Sequence, residues 1–318
     1  MKRRITALLL ITILVLSLAA CGGSSVPELK MATGGTSGTY YGFSGVIANV
    51  LNEKMGDTLT ITHESTGASK ENVQLVDSKE TQIAIIQNDV MSYAYNATDM
   101  FQGEEKVQSY SAVMSCYPEI VQIVANKKIT SIEELRGKKV SVGDAGSGTE
   151  FNARQVLGAY GIDIETDIQK NNQSFGDSVD SIKNGTIDAA FVVAGTPTVA
   201  VDELAATYDF NLLSLDDEHI AKLQADYAFY AEVTIPGGTY SKVAEDVKAV
   251  AVMATIIAHN DVEEEVIYNF LKGIFDYKAD ITAGHTKGAE IDLNTAISGI
   301  DIPFHPGAMK YYKEVGVK

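Results

Sequence analysis

Cysteine is nearly absent from the chain: Cys21 and Cys116 are the only two in 318 residues. If Cys21 is consumed by modification, Cys116 has no partner and no disulfide forms. Stability must then come from a packed core rather than from staples. Cys116 lies in the apolar run Ala112–Val124 and reads as a small buried hydrophobe. The five histidines, at 63, 219, 259, 285 and 305, are scattered. No HxxxH, HExxH or CxxC spacing occurs, so no metal site is expected. GxGxxG is missing, and no Gly-Lys-Ser/Thr closes a phosphate loop, which argues against dinucleotide and P-loop chemistry. Gly-x-Ser-x-Gly is missing around Ser147, because position 145 is alanine, and no partnered histidine is evident. No catalytic residue, enzymatic activity or cofactor is therefore expected. Positive charge is scarce as well. Lys and Arg number 25 against 42 Asp and Glu, for a net charge of -17 and a pI of about 4.7. A broad acidic surface repels phosphate backbones, so nucleic acid is not an expected partner.

The N-terminus has three parts. Lys2, Arg3 and Arg4 are basic, and residues 7–18 form an apolar stretch too short to anchor across a bilayer. Leu18-Ala19-Ala20-Cys21 follows and resembles a bacterial lipobox, which implies lipidation of Cys21. Residues 1–20 are thus expected to be a lipoprotein signal peptide and 21–27 a polar linker. The lipid would tether an exported domain to a membrane surface without spanning it, at the outer face of the cytoplasmic membrane or in the periplasm.

The rest is organised around Met31–Gly42, MATGGTSGTYYG. An apolar run stops at Thr33. Gly34, Gly35 and Gly38 then alternate with hydroxyls at Thr36, Ser37 and Thr39, and Tyr40 and Tyr41 open an amphipathic stretch. The order predicts a strand, a glycine-rich turn and a helix N-terminus, where free N–H donors and the helix dipole favour an anion. Ala145-Gly146-Ser147-Gly148-Thr149 repeats this corner, and the apolar run Ile83–Ile86 has its counterpart in Ile187–Val193. Each copy reads as a βαβαβ unit. In open α/β sheets ligands bind beyond the carboxyl ends of strands. Two such units predict two lobes and a ligand cleft between facing corners, closing by a hinge.

The expected fold is α/β and type II-like: two mostly parallel sheets flanked by helices. Residues 28–117 form the first part of lobe 1, 118–228 lobe 2, and 229–318 the return to lobe 1. Tyr227–Ile235 reads as the crossing back, and Asp246–Ala258 and Glu263–Tyr277 as helices.

Five stretches in order resemble the TAXI-type solute receptors of TRAP (tripartite ATP-independent periplasmic) transporters. They are Thr33–Tyr41, Gln87-Asn88-Asp89, Gly146–Glu150, Ile235–Tyr240, and His305–Ala308 with Tyr311 and Tyr312. The resemblance covers essentially the whole mature chain. It implies a two-lobed periplasmic-binding fold and capture of a small organic acid, such as a glutamate- or glutamine-like amino acid or a dicarboxylate, for delivery to a TRAP membrane permease; the receptor is expected to be a monomer. An ABC importer subunit or a ligand sensor for a signalling partner is the alternative. Ser37 stands where family members often have glycine. Beyond the leader, arginine occurs only at 136 and 154. Arg154 is placed to pair with Glu150, so carboxylate recognition would rest on backbone N–H groups and hydroxyls. The candidate ligand-binding residues are Thr36, Ser37, Gly38, Tyr40, Tyr41, Ser65, Ser69, Asn72, Gln87, Asp89, Ser147, Gly148, Thr149 and Gly195. Among them, Asp89 is a candidate for a substrate ammonium.

Overall fold

The computed structural model describes residues 26–317. The expected signal peptide, Cys21 and most of the linker lie outside the described residues. The first unit runs β1 (Glu28–Ala32), α1 (Thr39–Met55), β2 (Thr60–Glu64), α2 (Ser69–Asp77), β3 (Ile83–Gln87) and α3 (Asn88–Asn96). A 17-residue strand, β4 (Tyr110–Asn126), leads out of it. The second unit follows as β5 (Lys139–Ser141), α4 (Gly148–Ala159), β6 (Gln169–Asn171), α5 (Phe175–Lys183) and β7 (Ala189–Ala194). Then come α6 (Val199–Thr207), β8 (Phe210–Leu212), α7 (Asp217–Asp226), β9 (Ala231–Ile235) and β10 (Val247–His259). The chain ends with α8 (Glu264–Asp276), α9 (Lys278–Gly284) and α10 (Pro306–Glu314).

The duplication is visible in the pairing. β1 is parallel to both β2 and β3, and β5 is parallel to both β6 and β7. β4 and β10 lie antiparallel to one another between the two half-sheets, giving the order β2-β1-β3-β10-β4-β7-β5-β6. The chain passes between the lobes along these two strands. Met114, Cys116 and Tyr117 pack in the core of lobe 1, whereas Val121 and Ile123 pack in that of lobe 2. On β10 the change falls between Val252 and Ala254. Register shifts near Thr255 and Ile257 leave Cys116 and Val113 of β4 unpaired, as β-bulges do, and such bulges bend a strand. Cys116 is a free, buried thiol, and burial pushes its pKa up.

The helix expected over Asp246–Ala258 is instead strand β10. Its alanines at 249, 251, 254 and 258 carry helix propensity, but Val247, Val250, Val252, Thr255, Ile256 and Ile257 are β-branched. The segment sits between β3 and β4 with both faces covered, so its apolar residues run on without alternation. Tertiary context outweighed local propensity.

α10 docks on α8 through a close approach. A Cβ on Gly307 would fall 2.2 Å from the Glu264 carbonyl oxygen and 2.7 Å from the Tyr268 nitrogen, both backbone atoms that cannot swing aside. Gly307→Ala is expected to destabilise the protein by about 1–3 kcal/mol, the cost of overpacking. Differential scanning calorimetry reads it as a lowered Tm; an unchanged Tm would contradict this account of the α8–α10 contact.

Candidate functional site

β1 ends at Ala32, and the Thr33 hydroxyl donates to the Glu64 carbonyl at 2.6 Å, tying the first corner to β2. The Gly38 N–H donates to the Gly35 carbonyl at 2.9 Å, closing the turn that starts α1. Neither α1 nor α2 has a side-chain cap, so the orphan N–H groups of their first turns are not taken up by cap side chains. In the second unit the Ser147 hydroxyl accepts from the Glu150 N–H, and the Ser174 hydroxyl accepts from the Asp177 N–H. Gly143, with φ +90, lets the loop close on Thr149, where a Cβ would meet the threonine side chain at 2.8 Å.

The N-termini of α1, α2, α4 and α5 converge on one cavity of about 230 Å³. Of the candidates, Thr36, Ser37, Gly38, Tyr40, Ser65, Ser69, Gln87, Ser147, Gly148 and Thr149 line it. Gly34, Gly35, Thr39, Ala68, Glu119, Asp144, Ser174, Phe175, Val193 and Ala194 complete the lining. No lysine or arginine is among these described residues. The lobes meet across the cavity: the Thr39 hydroxyl donates to the Gly195 carbonyl at 3.0 Å, and the Ala200 N–H donates to the Ser37 carbonyl at 3.3 Å.

Four candidates lie outside the lining. Tyr41 stacks at a tilt on His63, with centroids 4.7 Å apart. Asn72 is a buried tie: its Nδ2 donates to the carbonyls of Thr33 at 2.6 Å and Ile85 at 2.8 Å. Asp89 faces Asn152 in the seam between the lobes, and its Oδ2 accepts from Asn152 Nδ2 at 2.9 Å. Gly195 contributes its carbonyl to Thr39 and Thr198. Arg154 pairs with Glu165 at 2.5 Å rather than with Glu150, which takes Lys170 at 3.1 Å. Glu150 also accepts from the Gly146 N–H and so turns its carboxylate back toward its own corner.

Glu119 is among the lining residues that sequence reasoning missed. It is 2% exposed, on β4, and its Oε2 accepts from the Tyr40 hydroxyl at 2.7 Å. Burial pushes its pKa up to about 8, against the pull of the Tyr40 hydrogen bond. The signal was a lone carboxylate beside Pro118 inside a long apolar run, which reads as an ordinary crossing strand. Ser174 and Phe175 carry no glycine signal and are brought in by the second α/β crossover.

The charge state of Glu119 sets a pH dependence. Its folded pKa, about 8, exceeds the ordinary 4.5, so the folded chain holds a proton that the unfolded chain releases. The stability this contributes is full below about 4.5 and is lost as pH rises through about 8. Asp89, raised from 3.8 to about 6 by burial, acts in the same direction over the lower part of that range. Glu119→Gln is neutral at every pH. Its Tm is expected to fall less steeply than that of the unliganded wild type between about pH 6 and about pH 8; equal slopes in calorimetry would show that Glu119 is not held neutral.

Three solved structures share the fold. The alkanesulfonate-binding protein SsuA from Xanthomonas axonopodis pv. citri, bound to MOPS, is 14% identical, with a TM-score of 0.51 over 90% of this chain and 83% of its own. A binding protein component of an ABC phosphonate transporter from Pseudomonas aeruginosa is 12% identical, with a TM-score of 0.52 over 83% and 79%. A structure from work on glutathione import via GshT and the cystine ABC importer TcyBC of Streptococcus mutans is 11% identical, with a TM-score of 0.52 over 90% and 100%. The architecture is therefore that of the two-lobed periplasmic binding proteins. A family model matches residues 31–316, nearly all of the described chain, and the protein belongs to the NMT1-like family.

Proposed function

We propose that the protein is an extracytoplasmic solute receptor that captures a small organic acid or amino acid and delivers it to a membrane permease. The observation that carries this reading is the cavity itself. Two glycine–hydroxyl corners, Thr36–Tyr40 and Ser147–Thr149, line one cavity from the two lobes. Helix N-termini and hydroxyls supply hydrogen-bond donors, and no lysine or arginine lines the space among the described residues. An anion would be held by N–H dipoles and O–H groups, which favour negative charge at helix starts. Beside Tyr40, the Glu119 carboxyl offers a partner for an ammonium, and a bound cation would draw its pKa back down. A cavity of about 230 Å³ suits a solute of amino-acid or small-diacid size.

The permease is of the TRAP type on this reading, supported by the order of the five stretches from Thr33–Tyr41 to the His305–Ala308 region. The basic, apolar and Leu-Ala-Ala-Cys segments support lipidation at Cys21 and export to the outer face of the membrane. Among the described residues, no helix is long and apolar enough to cross a bilayer. A second reading, the binding component of an ABC importer, is favoured by two structures of the same fold, one a binding protein component of an ABC phosphonate transporter and one from work on the cystine ABC importer TcyBC. Uptake that collapses with the ion gradient and survives ATP depletion selects the first; the reverse selects the second.

A thermal-shift screen of glutamate, glutamine, 2-oxoglutarate and C4-dicarboxylates tests the receptor reading, because a ligand that binds only the folded state raises Tm. At least one is expected to do so. Thr149→Ala should weaken that ligand by about 1 kcal/mol or more, a lost hydrogen bond. Unchanged affinity would remove Thr149 from the site.

A further inference from the structure

Buried amides ordinarily find partners for both ends. Gln87 does not. It is 2% exposed and lines the cavity. Its Nε2 donates to Asn152 Oδ1 at 3.0 Å, while its Oε1 is buried without a hydrogen-bond partner. The two ends of an amide are alike in shape, so its orientation must follow from its surroundings.

Here a carboxylate decides it. An ionised carboxylate only accepts. Asp89 Oδ2 accepts from Asn152 Nδ2 at 2.9 Å, which turns the Asn152 oxygen toward Gln87. That oxygen accepts from Gln87 Nε2, which leaves the Gln87 carbonyl as the free end. The neighbouring bonds agree in sense. Asn152 Nδ2 also donates to the Tyr230 hydroxyl at 2.9 Å, and that hydroxyl donates to Gln155 Oε1 at 2.6 Å. Asn152 is fully buried, and it joins lobe 2 to two residues of lobe 1.

The Gln87 oxygen rests against the first turn of α4. A Cβ on Gly148 would fall 1.7 Å from it, so only glycine admits the side chain there. The oxygen therefore stands at the meeting of the two lobes, beside the corner Ser147–Thr149.

We propose that Asp89, acting through Asn152, holds Gln87 with its carbonyl oxygen toward the cavity, and that this oxygen selects solutes bearing an N–H donor, an ammonium or an amide, at that end. The inference rests on the cavity being a solute site. Gln87 touches the solute; Asn152 and Asp89 are positioning residues that lie outside the lining. A solute with only acceptors at that end would face an unpaired oxygen, at the cost of burying both groups without a partner.

The test is calorimetric titration of the full mature protein at about pH 7.5, above the value of about 6 to which Asp89 is raised. The probes are the standard L-amino acids, each paired with the carboxylic acid that lacks its amino group. For at least one pair, the wild type is expected to bind the amino acid about tenfold or more tightly than its partner. Gln87→Met should erase most of that preference. Asp89→Asn, which lets the amide chain reverse, should also reduce it although it touches no solute; a merely structural role would weaken both members alike. Equal affinities within every pair, or a preference undiminished in Gln87→Met, would overturn the proposal while leaving the receptor reading standing. Binding of neither member of any pair would overturn the proposal, and the receptor reading falls with it only if the thermal-shift screen also finds no ligand.

Discussion

Helix N-termini aimed at a single buried space are the constraint on which the structure turns. The starts of α1, α2, α4 and α5 carry the positive ends of their dipoles and their orphan N–H groups to the same cavity. On the proposed reading, that arrangement would hold an anion without arginine. Arg136 and Arg154 are spent elsewhere, on Asp167 and Glu165 at the surface of lobe 2.

Bringing the corners together requires two lobes that can meet, and β4 and β10 provide the connection. Both strands run through the core of each lobe, so the cleft stands over a continuous hydrogen-bonded sheet rather than over loose linkers. Glu119 belongs to β4 and Gln87 ends β3, next to β10, so the acceptors in the cavity sit on this rigid central part. The donors sit on helix starts. Donors and acceptors meet there: Glu119 accepts from Tyr40 in the first turn of α1, and the Gln87 oxygen rests against the first turn of α4.

Much of this was legible in the residues. The glycine–hydroxyl corners and the doubled βαβαβ pattern announce themselves locally, because turn chemistry and apolar runs are short-range signals. Ten of the fourteen candidate binding residues line the cavity between the lobes for that reason. Asn72, Asp89, Tyr41 and Gly195 stand next in the chain to lining residues or near them, but their side chains or carbonyls are used by neighbours: Thr33 and Ile85, Asn152, His63 and Thr39. Which side of a backbone a group faces depends on packing that no local pattern encodes. β10 was hidden because alanine spacing imitates a helix, and only its position between β3 and β4 makes it a strand. Glu119 was hidden by the apolar run around it, and Arg154 by a partner eleven residues away rather than four.

The most direct measurement is a crystal structure of the protein grown with a solute that raises its melting temperature. The account predicts density for one molecule between Thr36–Tyr40 and Ser147–Thr149, in contact with both lobes, its anionic group at the helix starts. A solute seated on one lobe alone, or bound away from both corners with the cavity filled by water, would contradict it.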